Sequence, residues 1–342
     1  MYLIQILISS DLGLILWYHS SLAAPQGNVQ TLSTHTAGTI YKPRQVPQDA
    51  GHTPPPIFGI GDKIGEGDSG LMLDVLPPEL SDAAFKQMID EVDWSTMHHR
   101  GGEVPRRVAV EGEIANDGSF PIYRHPADES PPLRRFSPTV ACIRDHVQKA
   151  LDHPVNHVLI QHYRSGADYI SEHSDKTIDI VRGSNVVNVS LGAQRVMTLR
   201  MKRDGVQQAG DGATPRPSQK IPLPHNSMFV LGLDTNVKWL HAINHDKRPI
   251  HQKSTEEQFM NGERISLTFR HIGTFLSRDE LYIYGQGARG KTCNAARPVI
   301  NGGEEAAKLL EAFGKENQQS DFDWEEVYGG GFDVLHFTPR GS

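Results

Sequence analysis

The run Arg264-Ile265-Ser266-Leu267-Thr268-Phe269-Arg270 alternates polar and apolar residues without a break. Successive side chains of an extended chain point to opposite faces, so this period of two predicts a strand. Arg264, Ser266, Thr268 and Arg270 then share one face, and Ile265, Leu267 and Phe269 the other. An exposed polar face of an antiparallel sheet is one reading. The other turns both arginines into the interior of a β-barrel. Buried guanidinium groups are costly unless an anion neutralises them. A dicarboxylate would do so through charge-assisted, bidentate hydrogen bonds.

Upstream lie further β-type runs, Val158–Ile160, Val186–Leu191, Val196–Leu199 and Ser227–Leu231, separated by Gly, Pro and Asn. Many short strands in succession predict a barrel or a double-sheet jelly roll, within an α+β, β-rich class. Residues 203–220 and 245–262 read as surface loops between strands. Two helices precede most of the strands. One follows Ser81 as N-cap, with Phe85, Met88, Ile89 and Val92 inward; the other follows Ser137-Pro138, with Val140, Ile143, Val147 and Leu151 inward. Residues 1–70 read as a flexible arm containing the run Pro54-Pro55-Pro56. Gly59-Ile60-Gly61 with Gly65 lacks both the spacing and the preceding strand of a dinucleotide fingerprint. Residues 71–273 read as the main folded domain. Residues 274–342 form an extension with helical period over 304–313 and apolar mass from Trp324, Tyr328, Phe332, Val334, Leu335 and Phe337, expected to pack on the core.

The net charge of −7 gives no bulk attraction to nucleic acid, so such a partner would need a local basic patch. Arg195, Arg200, Lys202 and Arg203 form one candidate patch, with a solvated strand end as the competing reading. The two cysteines, Cys142 and Cys293, stand far apart and form no CxxC pair. Residues 1–24 are largely apolar and end in Ala23-Ala24-Pro25. They lack a basic leading region, and Asp11 and His19 interrupt them. The expectation is an intracellular protein of cytoplasm or nucleus with no membrane span, secretion being the alternative. Nothing in the sequence fixes the oligomeric state.

His173-Ser174-Asp175 places two ligand side chains on one side of an extended segment, where they can bite one metal ion. His241 stands sixty-six residues downstream, in Trp239-Leu240-His241-Ala242-Ile243. Two histidines and a carboxylate can occupy one face of an octahedral Fe(II) ion and leave three positions open for a co-substrate and dioxygen. For His241 the competing reading is a core histidine with satisfied ring nitrogens.

His-x-Asp, a distal His and then Arg-x-Ser-x-Thr-x-Arg, in that order, resembles the iron(II)/2-oxoglutarate dioxygenases. Ile160-Gln161-His162-Tyr163-Arg164-Ser165-Gly166, Tyr169 to Asp175, Asn188-Val189-Ser190-Leu191-Gly192 and Leu267 to Arg270 make it similar to their AlkB-like branch over roughly residues 75–273. The resemblance implies a double-stranded β-helix with flanking helices, and Fe(II), 2-oxoglutarate and dioxygen as cofactor and co-substrates. It implies that His173, Asp175 and His241 hold iron, and that Gln161, Tyr163, Arg264, Ser266 and Arg270 bind 2-oxoglutarate, Arg264 taking the distal carboxylate. Pro105 to Gly112 and Tyr123-Arg124-His125 would belong to a substrate lid. Gln161 and Ser266 stand where the family often has Asn and keep hydrogen-bonding ability. Thr177 stands where nucleobase-repairing members often carry an acid that reads the damaged base, with Asp179 as a candidate replacement. The implied activity is oxidative demethylation of N-alkylated bases in DNA or RNA. The alternatives are a small-molecule hydroxylase of specialised metabolism and a non-catalytic binding protein.

Overall fold

The computed structural model describes residues 56–99, 102–127, 129–204 and 215–336. The expectations for residues 1–55, for Phe337 and for the middle of the 203–220 loop lie outside them. An eight-stranded sheet runs in the order β1 (Gly70–Met72), β11 (Ser227–Leu231), β8 (Val186–Gly192), β13 (Arg264–Arg270), β6 (His157–Tyr163), β3 (Gly102–Gly112) and β2 (Ser95–His99), with β5 (Leu133–Arg135) parallel to β3. A second sheet runs β10 (Ser218–Leu223), β9 (Arg195–Met201), β12 (Trp239–Ile243), β7 (Ile170–His173). The jelly-roll architecture is therefore present, and β13 sits in the middle of the large sheet between β8 and β6.

The alternation in β13 does two jobs. Its apolar face, Ile265, Leu267 and Phe269, joins Val158, Ile160, Val187 and Val189 under two helices, α1 (Pro78–Glu91) and α2 (Pro138–Leu151). Phe85 and Met88 of α1 and Val140, Ile143 and Val147 of α2 complete that layer. Its polar face turns toward the space between the sheets. There Tyr163, Phe229 and Leu231 of the large sheet meet Met197, Leu199, Ile221, Leu223 and Trp239 of the small one. All seven residues of β13 are buried, so the exposed-strand reading is excluded.

Three boundaries differ from expectation. Helix α1 starts at Pro78 with Pro77 as N-cap; Ser81 lies one turn in, where its hydroxyl donates to the Pro78 carbonyl. Proline at the first helical position needs no N–H partner, and that decides the start. Strand β10 begins at Ser218, inside the expected loop, because pairing with β9 overrides its polar opening Ser-Gln-Lys. Residues 57–69, expected within the arm, are packed. Ile64 is fully buried between the sheets, and the Asp68 carboxylate accepts from the amides of Asp234 and Thr235 at the start of α3 (Leu233–Lys238). Gly65 has a φ of +57°, and a Cβ there would strike the Thr235 side chain, so its glycine is needed for this close approach.

Beyond β13 come β14 (Thr274–Leu276), β15 (Tyr282–Gly285) and β16 (Arg297–Pro298), which form a third sheet with β4 (Phe120–Pro121). The short parallel pair β17 (Ile300–Asn301) and β18 (Val334–Leu335) brackets α5 (Gly303–Gln318) and α6 (Trp324–Tyr328). Leu309, Phe313 and Tyr328 of this segment bury against Ile178, just past the His173–Asp175 segment. Between the two parts lies a buried ion pair. Arg124 donates to Asp179 at 2.7 Å and to the carbonyls of Phe332 and Gly287, and both side chains are fully buried. Among the described residues no helix is long and apolar enough to cross a membrane. Cys142 and Cys293 are free and exposed.

Removing one partner of a buried pair leaves an uncompensated charge, whereas an exposed pair contributes little. Arg124→Met is therefore expected to cost ~3–5 kcal/mol of unfolding free energy in urea titrations. Arg182→Ala, which breaks the exposed pair with Glu325, should cost less than about 1 kcal/mol. Equal costs would show that the Arg124–Asp179 pair is not a structural anchor.

Candidate active site

The sequence places His173 at the end of β7 and His241 in the middle of β12, and pairing of these strands sets the two residues directly opposite one another. Their ring centroids lie 4.2 Å apart. Asp175, two residues beyond His173, comes to the same side. One ligand atom from each of the three lies within 4.8 Å of the others, a spacing that one metal ion can bridge. His173 Nδ1 sits 2.8 Å from the Ser171 carbonyl, which can only accept. The proton is thus on Nδ1, and Nε2 is left as the metal-facing lone pair.

Burial pushes the pKa of His173 down to about 3, with His241 adding to the shift, and burial likewise lowers His241. Both rings are neutral, the form a metal requires. Burial works to raise Asp175, yet Arg270 and the two histidines hold it down at about 2. Arg270 reaches Asp175 with Nη2 at 3.0 Å, so its first partner is the candidate ligand carboxylate. Arg270, expected to line the co-substrate, holds Asp175, and among the described residues its buried Nη1 makes no hydrogen bond.

Arg264, at the other end of β13, is different. It is 1% exposed and forms no ion pair among the described residues. Burial pulls its pKa down to about 10, with Arg195 pushing the same way. Its Nη2 donates to Asn188 Oδ1 at 2.9 Å and to Ser190 Oγ at 2.8 Å. Among the described residues its buried Nε and Nη1 make no hydrogen bond of normal geometry. The Tyr163 ring lies 5.2 Å from the guanidinium carbon. A buried cation with two unspent donors fits an anion. Ser266 acts one step back, accepting from Asn188 Nδ2 at 2.6 Å and so fixing the amide that holds Arg264. Gln161 lies against Arg106; with its amide oxygen turned that way it accepts from Arg106 Nε at 2.8 Å.

The match to known proteins coincides with this frame. The family model described as the 2OG-Fe(II) oxygenase superfamily matches residues 69–270, from β1 to the last residue of β13. The chain belongs to the 2OG-Fe(II) oxygenase superfamily. Among curated proteins, DNA oxidative demethylase ALKBH2 of Homo sapiens is 29% identical over 205 residues, 56% of this chain and 69% of that one. The alkB homolog 3 dioxygenase of Bos taurus is 24% identical over 196 residues, 56% of this chain and 62% of that one. The solved structure of OsALKBH1 is 16% identical, covering 60% of this chain and 98% of that one with a TM-score of 0.38. This oxygenase falls in the AlkB-like branch. It is a dioxygenase that uses Fe(II), 2-oxoglutarate and dioxygen.

Several expectations change in the oxygenase. Gly102–Gly112 is a strand whose last five residues are buried, so Val108 to Gly112 are sheet and not lid. Arg124 is spent on Asp179, which equally removes Asp179 as a reader of substrate. The candidate basic patch is dispersed. Arg195 donates to three carbonyls, those of Ser165, Asp168 and Asn244. Arg200 pairs with Glu172, and Lys202 is buried. Sequence reading missed Asn188 and Arg106 as contacts of the anion pole, and Tyr123, whose ring lies 4.0 Å from the Arg270 guanidinium carbon. Asn188 carried a signal, since it faces Ser266 and Thr268 across β8 and β13 in a polar row.

His157 is buried at the Arg270 end of β13. Burial, then Arg270, pushes its pKa well below the ordinary value, and His125 is likewise lowered, to about 3. The native state thus keeps both rings neutral, while the unfolded chain takes up protons near pH 6.5. Below that pH the unfolded state binds more protons, so stability falls as pH falls, by up to ~1.4 kcal/mol per pH unit for each such ring. His157→Gln is expected to flatten the decline of unfolding free energy between about pH 6.5 and 4.5, measured by urea titration. An unchanged slope would mean that His157 does not resist protonation.

Proposed function

We propose that this oxygenase is an AlkB-type demethylase of N-alkylated nucleobases in DNA or RNA, with Fe(II) held by His173, Asp175 and His241. The observation that carries the site is the convergence of three ligand atoms within 4.8 Å, with Arg270 on one of them and the buried Arg264 on the same strand. Bound iron and 2-oxoglutarate supply oxidation of a C–H bond by dioxygen, and on an N-methyl group the hydroxylated product loses formaldehyde. The protein's part is to bind, orient and exclude water. Arg264 would hold the distal carboxylate, and Asn188 and Ser190 fix its guanidinium through Nη2. Tyr163 walls that pole, with Gln161 beside it. Arg270 keeps Asp175 ionised and correctly aimed. The substrate class follows from the relatives, two of which carry the name DNA oxidative demethylase or alkB homolog. A nucleic-acid substrate accords with a cytoplasmic or nuclear enzyme.

One observation favours hydroxylation of a small molecule instead. The side chain of Thr177 is engaged by Glu316, and Asp179 is engaged by Arg124. Neither is available to read a base in the manner the family resemblance implies, and of the candidate phosphate patch Arg195 and Lys202 are spent internally.

Anaerobic titration of Fe(II) and 2-oxoglutarate should give a visible metal-to-ligand charge-transfer band that His173→Ala abolishes. Arg264→Lys keeps the charge but loses the fork, and should raise the 2-oxoglutarate concentration for half-saturation at least about tenfold, the worth of one charge-assisted hydrogen bond. Formaldehyde release from N-methylated oligonucleotides, falling with salt, supports the nucleobase reading. A band with no release from any methylated oligonucleotide transfers the assignment to the small-molecule reading.

A further inference from the structure

The segment Ser174-Asp175-Lys176-Thr177 leaves β7 and forms neither helix nor strand, yet each of its four backbone N–H groups meets a side-chain acceptor. Ser174 N donates to Asn317 Oδ1 at 2.9 Å, and Asp175 N to Asn236 Oδ1 at 2.9 Å. Lys176 N donates to the Tyr123 hydroxyl at 3.0 Å, and Thr177 N to Glu316 Oε1 at 2.9 Å. Two of the four acceptors come from the last turn of α5, outside the residues that the family model matches.

Glu316 is 1% exposed, and burial raises its pKa. Its carboxylate accepts from both the amide and the hydroxyl of Thr177 and from the Tyr328 hydroxyl at 2.8 Å. The Thr177 carbonyl accepts in turn from Trp324 Nε1 at 3.2 Å. Lys202 reaches across from β9 and donates to the carbonyls of Glu316 (2.6 Å) and Gln319 (3.2 Å), where a cation suits the negative end of a helix. Apolar contacts alone could dock a helix. A buried carboxylate is costly, and its directional hydrogen bonds fix position as apolar packing does not.

We propose that Glu316 and Asn317 are positioning residues of the metal centre, through which the C-terminal extension sets the path of the loop that carries Asp175. The proposal rests on the reading of His173, Asp175 and His241 as the Fe(II) ligands. The extension thereby becomes part of the catalytic machinery, although it contributes no ligand. Glu316 and Asn317 grip the residues on either side of Asp175, whereas Arg270 grips its carboxylate. Backbone and side chain of the ligand are thus fixed from different elements.

The test uses full-length protein bearing Glu316→Ala, Asn317→Ala, Glu316→Gln or Leu309→Ala. Leu309 is buried on the same helix in the apolar cluster that includes Ile178, and its aliphatic side chain can make no hydrogen bond to residues 174–177. Two quantities are read at a temperature where all variants are folded: Fe(II) affinity by anaerobic titration, and amide hydrogen exchange across residues 172–178 without metal. Glu316→Ala and Asn317→Ala are expected to speed exchange in that segment and to weaken Fe(II) binding by about tenfold or more, in the range typical of groups that orient ligands. Glu316→Gln keeps an acceptor for the Thr177 amide and should restore most of both. Leu309→Ala should lower the melting temperature while leaving Fe(II) affinity as in wild type. If Glu316→Ala does not fold, Asn317→Ala, at a half-buried position, decides. Wild-type iron affinity and wild-type exchange in folded Glu316→Ala or Asn317→Ala would overturn the proposal. Absence of iron binding by the wild type would instead overturn the ligand assignment, and the exchange data would still report whether α5 holds the loop.

Discussion

A buried positive charge needs an answering negative one, and strand β13 buries two. Arg270 finds its counter-charge inside the protein, in Asp175 at 3.0 Å. Arg264 finds only neutral oxygens, on Asn188 and Ser190, and keeps two donors unspent. The same side-chain type, six residues apart on one face, thus serves two ends. One guanidinium is answered by a carboxylate of the protein itself, and the other keeps donors that suit an anion. The sheets supply the spacing between these poles, since both arginines are fixed to one central strand flanked on both sides.

The site is also divided between the sheets. The two histidines sit on adjacent strands of the small sheet, paired in register. The anion pole belongs to the large sheet, on β13, β8 and β6. A change that slides one sheet over the other alters the distance between the poles and strains the Arg270–Asp175 pair that joins the sheets. The apolar cluster between the sheets, from Leu71 and Phe229 to Trp239 and Ile243, maintains that distance.

Much of this was legible in the sequence because it is local. A period of two over seven residues marks β13, and a spacing of two marks His173 and Asp175; neither needs knowledge of the fold. The jelly roll followed from several short runs of the same kind. What was not legible depends on partners far along the chain. Nothing near Arg124 announces Asp179, nothing near Lys202 announces the end of α5, and Glu316 reads as an ordinary residue on a solvated helix. Each looks exposed until the fold supplies a neighbour more than fifty residues away. Strand β10 was hidden because pairing outweighs the weak preferences of Ser218, Gln219 and Lys220. Residues 57–69 were hidden because Gly65, which packs closely on Thr235, stands among glycines that read as a loose linker.

Those early residues have a bearing on the order in which the molecule assembles. Ile57 bridges to Lys220 at the edge of the small sheet, and β1 pairs with β11 at the edge of the large one. A segment of sixteen residues thus covers an open edge of each sheet. Its partners are made about 150 residues later. During synthesis this stretch must wait, unpaired, until β10 and β11 have left the ribosome, and only then can it close the seam. The part of the domain that is made first is among the last to find its place, and until it does, the edges of both sheets stand open to other chains.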